Sequence, residues 1–216
     1  MTYRFYEHTD SLHGDADLPS SPSMLDFWRW AFSDLLEDTL KGLYAEWLVG
    51  QLLGLPMRHG GRPGYGNFDL RSPAGLRIEV KSSAYWQSWK LRDQDGVLKP
   101  APEIDRWRPS PSHRICFGGL RARDVVTRDG AVGYKADVYV FCLQKEIDPA
   151  RWDALDLSQW EFYVLSRAEL EATGLSSLTL KRLRQLCPAM TARDFQRCGR
   201  ERLAVLEALI IEAPAT

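Results

Sequence analysis

The chain has 216 residues, 44% of them hydrophobic and 11% aromatic, which is enough to bury one substantial core and too little for two full domains. Lys and Arg total 28 against 29 Asp and Glu, a net charge of -1, so no global field draws the protein to nucleic acid or anionic lipid, and any polyanion contact must use local basic patches. Cys116, Cys142, Cys187 and Cys198 form no CxxC pair, which argues against a zinc site or disulfide scaffold, and neither a signal-peptide core in residues 1–23 nor a run of about eighteen apolar residues is seen; the expectation is a soluble, cytoplasmic protein with reduced thiols and no membrane partner.

In chain order, residues 1–22 are polar and Ser/Pro-punctuated and read as an N-terminal arm, followed by a single domain over 23–216. Ser23 with Asp26 makes a capping box before a helix that carries Leu25, Trp28, Phe32 and Leu35 or Leu36 on one side. A second helix, EDTLKGLYAEWLVGQLLG, stops at Gly54 with Pro56 just beyond. RHGGRPGYGN is a basic, glycine-rich loop. The period then changes: FDL and GLRIEVKSSAYW read as a hairpin turning at Ser72–Gly75. After a polar stretch, HRICFGGL is either strand or helix end, while ADVYVFCLQ and QWEFYVLS are apolar, β-branched and aromatic, as central strands are. Capping boxes at Ser166/Glu169 and Thr191/Asp194 start a short helix and a last helix running to about residue 213. The order predicts an α/β domain with a mixed sheet and helices on its faces.

Residues two apart on a strand share a face, so Glu79 and Lys81 point one way while Ile78 and Val80 point the other. The hairpin can bring Asp69 beside Glu79. Two carboxylates that close repel unless a cation lies between them, and magnesium or manganese, which prefer oxygen ligands, would supply that charge. Lys81 is then placed to orient a metal-bound water or to neutralise a phosphate. Taken alone, Glu79-x-Lys81 is an ordinary solvated strand face. Glu46 is less ordinary, because its helical neighbours Gly42, Leu43, Val49, Gly50 and Leu53 form a small, apolar stripe on which a carboxylate needs a partner.

A helical acid, a Gly-rich loop, an Asp at a strand end, a short turn and Glu-x-Lys in the next strand together resemble the PD-(D/E)XK, or restriction-endonuclease-like, nuclease superfamily over roughly residues 35–165. The resemblance implies a restriction-endonuclease-like core with a mixed sheet of four to five strands, and a C-terminal helical extension over 166–216. It assigns Asp69, Glu79 and Lys81 to the signature, Glu46 to the additional helical acid, and the Val80 carbonyl to a further metal ligand. Phe68 stands where many members have proline. The implied activity is magnesium- or manganese-dependent hydrolysis of nucleic acid, DNA above all, in restriction, phage defence or DNA repair, by a homodimer or within a larger complex.

Beyond Lys81, SSAYWQSW offers Ser82, Gln87 and Trp89 for phosphates and bases, and the resemblance makes Gln87 comparable to a Gln that follows the Lys in many subgroups. The alternative is that Tyr85 and Trp89 start a helix packed in the core. Arg58, His59 and Arg62 precede Asp69 in the Gly-rich loop, and a second basic cluster runs from Lys181 to Arg202; these are candidate nucleic-acid contacts, the second equally a solvated face. ELEATGLSSLTLKRL reads as a helix-turn-helix or an edge strand. HExxH, P-loop and GxSxG motifs are absent from the sequence. A non-catalytic nucleic-acid-binding subunit and a structural or assembly protein are the alternative functions.

Overall fold

The computed structural model describes residues 6–13, 22–57, 66–109, 114–123 and 132–212. Helices α1 (Met24–Phe32) and α2 (Asp38–Leu53) lead into strands β1 (Leu70–Arg71) and β2 (Arg77–Ala84). Short helices α3 (Ser88–Leu91) and α4 (Ala101–Asp105) follow, then three small strands, β3 (Cys116–Phe117), β4 (Ala122–Arg123) and β5 (Val132–Gly133). The long strands β6 (Val138–Gln144) and β7 (Trp160–Ser166) precede α5 (Arg167–Glu171), β8 (Leu178–Thr179), α6 (Leu180–Leu186), α7 (Ala192–Asp194) and α8 (Arg200–Glu212).

The centre is a mixed four-stranded sheet in the order β1-β2-β6-β7, with β2 and β6 parallel and the outer two pairings antiparallel. Alternation along the strands splits the core in two. Ile78, Val80, Val138, Val140, Phe162 and Val164 meet Ala45, Leu48, Val49, Leu52 and Leu53 of α2, together with Phe195 and Leu203. Tyr139, Phe141, Leu143, Tyr163 and Leu165 face the other way, against Phe117, Leu120, Leu178 and Leu183. Every residue of β6 is buried, which is why its sequence is continuously apolar up to Gln144. At the start of the parallel seam Asp137 takes Arg77 N–H (2.9 Å) and Nε–H (3.0 Å), with Nη2 on its other oxygen. Burial pushes the Asp137 carboxyl up, but those bonds outweigh it and hold the group below its ordinary value.

The capping boxes at Ser23 and Ser166 form, and Gly54 ends α2 in the left-handed conformation, φ 68°. Arm residues bond back onto the start of α1, with Leu12 N–H donating to Pro22 O (2.9 Å) and Met24 N–H to Asp10 O (2.7 Å). Two expectations differ in detail and one open alternative is resolved. α1 stops at Phe32, none of its residues is buried, and Trp28 and Phe32 line an open groove with Leu40, Tyr44 and Trp47 of the next helix. The last helix runs from Ala192 to Glu212 but is not α-helical throughout: a π turn, Phe195–Gly199, lies between α7 and α8. There Phe195 stacks on Phe162 (centroids 4.7 Å apart), and a Cβ on Gly199 would meet Phe195 at 3.0 Å and Leu53 at 3.2 Å, so the extra residue in the turn seats the ring against the sheet. Finally, Leu178–Thr179 of SLTL is a strand, paired with Cys116–Phe117. Among the described residues no helix is long and apolar enough to cross a membrane.

Candidate active site

The turn closing the hairpin is held by Ser72, whose N–H donates to Leu76 O (2.9 Å) and whose hydroxyl accepts Leu76 N–H (3.2 Å). The pairing of Leu70 with Ile78 would set Asp69 opposite Glu79, yet Asp69 N–H donates instead to Ile78 O (3.0 Å). The ladder slips here and β1 ends. Beyond that point Asp69 Oδ2 accepts Val80 N–H at 2.8 Å, so a carboxylate does what the carbonyl of a neighbouring strand would otherwise do. N–H and C=O of one strand residue face the same side, so the Val80 carbonyl looks onto the same edge.

One residue to either side, Glu79 and Lys81 join, Oε1 to Nζ, at 2.7 Å, with side chains only 19% and 23% exposed. They share their sheet face with Tyr139 and Phe141, their register partners on β6. The Tyr139 hydroxyl donates to Leu120 O (3.3 Å) and accepts Lys135 N–H (3.0 Å); burial, with the Glu79 charge adding to it, holds the phenol above its ordinary value against the bonds it accepts. Gly119, at φ 65°, completes this wall, where an added Cβ would stand 3.6 Å from Lys81 Nζ. The Gly118-Gly119 pair is the sequence signal for such an approach.

Asp69, Glu79, Val80 and Lys81 are thus drawn together at one edge of the sheet. Glu46 comes from elsewhere: it is half-buried on the flank of α2, the helix packed on the Ile78/Val80 face, opposite to the face of Glu79 and Lys81. Ser82 pairs with Cys142 and by strand alternation also lies on the α2 side, whereas Ser83 shares the face of Lys81. Gln87 Oε1 accepts the buried Lys41 ammonium at 2.7 Å, and its amide donates to Ala84 O at 3.4 Å. A lysine on the apolar stripe of α2 was the available clue to that bond. Trp89 is 53% exposed, edge-on to Trp107 (5.1 Å), whereas Trp86 is the fully buried tryptophan of this segment. Arg58, His59 and Arg62 lie outside the described residues. In the C-terminal basic cluster Arg184 is committed to Glu161 (2.8 Å) and the Tyr163 hydroxyl (2.9 Å), and Arg202 to Glu169.

Magnesium keeps several waters and is commonly held by one or two protein carboxylates together with substrate phosphates. Asp69 and Glu79, beside the Val80 carbonyl, fit that sparse oxygen donor set. Among the described residues no group of three or more His, Cys, Asp or Glu side chains is gathered closely enough to hold an ion by itself. No family model, curated protein or solved structure matches the chain.

Proposed function

We propose that this chain is a metal-dependent nuclease with a restriction-endonuclease-like core of the PD-(D/E)XK type, hydrolysing phosphodiester bonds in DNA. The observation that carries the reading is the strand edge at Val80, where Asp69 caps the backbone and the Glu79–Lys81 pair stands immediately beside it. Asp69 and Glu79 would hold magnesium or manganese, with the Val80 carbonyl as a further donor. When bound, the ion supplies positive charge that polarises a phosphoryl oxygen. Lys81, fixed by Glu79 against the Gly119 wall, orients the attacking water and offsets charge developing on the phosphate. Glu46 supports the site from the α2 side. Restriction, phage defence or DNA repair is the setting this activity serves, and a homodimer would place two such edges on the two strands of a duplex.

The test is incubation of plasmid, linear duplex, single-stranded DNA and RNA with and without magnesium, beside Asp69→Ala and Lys81→Ala proteins. Metal-dependent cleavage of at least one substrate is expected, falling about 10²–10³-fold in each variant. Activity that survives EDTA or either substitution overturns the assignment. One observation favours a second reading, a non-catalytic nucleic-acid-binding subunit: the 2.7 Å Glu79–Lys81 pair satisfies both charges without an ion. Binding without cleavage, unchanged by Lys81→Ala, would select it.

A further inference from the structure

β4 and β5 form a two-stranded ribbon outside the four-stranded sheet, pairing Ala122 with Gly133 and Arg123 with Val132. Ala122, Arg123 and Val132 are exposed, so these strands contribute no buried face, and a ribbon of two strands has little stability of its own. Its root, by contrast, is firmly held. Arg121 lies over the Tyr134 ring, 5.9 Å to the centroid, and donates to Val132 O at 3.4 Å. The Tyr134 hydroxyl donates to Leu175 O at 2.7 Å. Tyr139 ties the two sides of the root together through Leu120 O and Lys135 N–H, and Tyr139 is the register partner of Glu79. The ribbon therefore springs from the wall of the Glu79–Lys81 site.

Its charge is net positive. From Arg114 to Lys135 the sequence holds Arg114, Arg121, Arg123, Arg128 and Lys135 against Asp124 and Asp129. Among the described residues Arg121 and Arg123 have no carboxylate partner, unlike Arg184 and Arg202 of the C-terminal cluster. Two exposed guanidiniums two positions apart repel each other in the free protein and gain when phosphates replace their counterions. They stand two and four residues from Gly119, so an extended chain puts them at most about 7 and 14 Å from the site wall. At about 3.4 Å of axial rise per nucleotide of a strand, that reach covers on the order of four nucleotides.

We propose that the β4–β5 ribbon is the nucleic-acid-contacting arm of this protein, with Arg121 and Arg123 gripping the phosphates of the strand presented to Glu79 and Lys81. The inference rests on the proposed function for its partner class and is independent of turnover. Full-length protein is titrated in EDTA with a fluorescent duplex and a fluorescent single strand over a range of KCl, comparing wild type, Arg123→Gln, Arg121→Gln/Arg123→Gln and, as a control that removes one exposed positive charge elsewhere, Arg29→Gln on α1. Far-UV circular dichroism monitors the fold, and Arg123→Gln alone, at an exposed side chain, keeps the test decisive if the root is disturbed. The double variant should bind at least tenfold more weakly, with a log–log salt slope shallower by about 1.4–1.8, and Arg123→Gln by about half that change in slope, while the control matches wild type. Unchanged affinity and slope in both ribbon variants, an equal loss in the control, equally tight binding of polyglutamate, or no nucleic-acid binding by wild type overturns the ribbon assignment. If wild type cleaves DNA and the ribbon variants bind normally, the ribbon fails and the nuclease reading stands. If binding depends on the ribbon and no substrate is cut, the nuclease reading fails and the ribbon stands.

Discussion

β2 and β6 lie side by side and parallel, yet β6 is buried over its whole length while β2 carries half-exposed charges on alternate residues. β6 has a strand on both sides throughout; β2 has one on both sides only as far as Ile78, because β1 is two residues long. Where the neighbour stops, an orphaned backbone N–H must be satisfied by a side chain, and charged groups gain access to solvent. The candidate site residues of this chain sit where the sheet ceases to be continuous, next to an apolar strand buried over its whole length.

The comparison can be pressed hardest at β6. Phe141, fully buried and edge-on to Phe117 at 5.3 Å, should cost about 4 kcal/mol when replaced by Ala, measured by urea unfolding. A loss below about 1 kcal/mol would mean that β6 is not the keel described here. The seam between the strands comes next. Asp137→Ala should cost about 2 kcal/mol, since three charge-assisted donors of a half-exposed arginine lose their acceptor. The folded pKa of Asp137 is depressed below 3.8, so this stabilisation is present above pH 3.8 and is lost as pH falls through the lower folded value. Unfolding midpoints of wild type and variant should therefore converge in strong acid and stay apart at neutral pH. The smallest effect belongs to the edge itself. Asp69→Ala leaves Val80 N–H without its acceptor and should cost about 1 kcal/mol with faster amide exchange at Val80, whereas Asp69→Asn retains a carbonyl and should stay within about 0.5 kcal/mol of wild type. Equal exchange rates in all three proteins would dissolve the contrast between the two strands.

Much of the sheet was readable from local pattern. The continuous apolar runs of β6 and β7, the turn at Ser72–Gly75 and the helix caps at Ser23, Ser166 and Thr191 each depend on neighbours within a few residues. What escaped depends on residues far apart in the chain. Gln87 is claimed by Lys41, 46 positions earlier, and nothing around Gln87 announces it. The π turn at Phe195 answers to the ring of Phe162 and to Leu53, not to any break in helical period. For the candidate site, two-residue alternation was enough to set Glu79 and Lys81 on one face. The same alternation puts Ser82 on the opposite face, away from Lys81. That Asp69 reaches Val80 rather than lying across from Glu79 follows from a ladder slip, which periodicity does not encode.

The parallel seam has a kinetic corollary. Arg77 and Asp137 are 60 positions apart, whereas each antiparallel partner in the sheet is nearer in sequence, so the two outer pairs can zip early and the join between them comes late. Loop closure grows only logarithmically, about 0.6 kcal/mol for each doubling of the intervening length. The excursion from α3 to β5 can therefore lengthen or shorten over evolutionary time at slight loop-closure cost, letting the flank beside Lys81 change while the sheet beneath it stays the same.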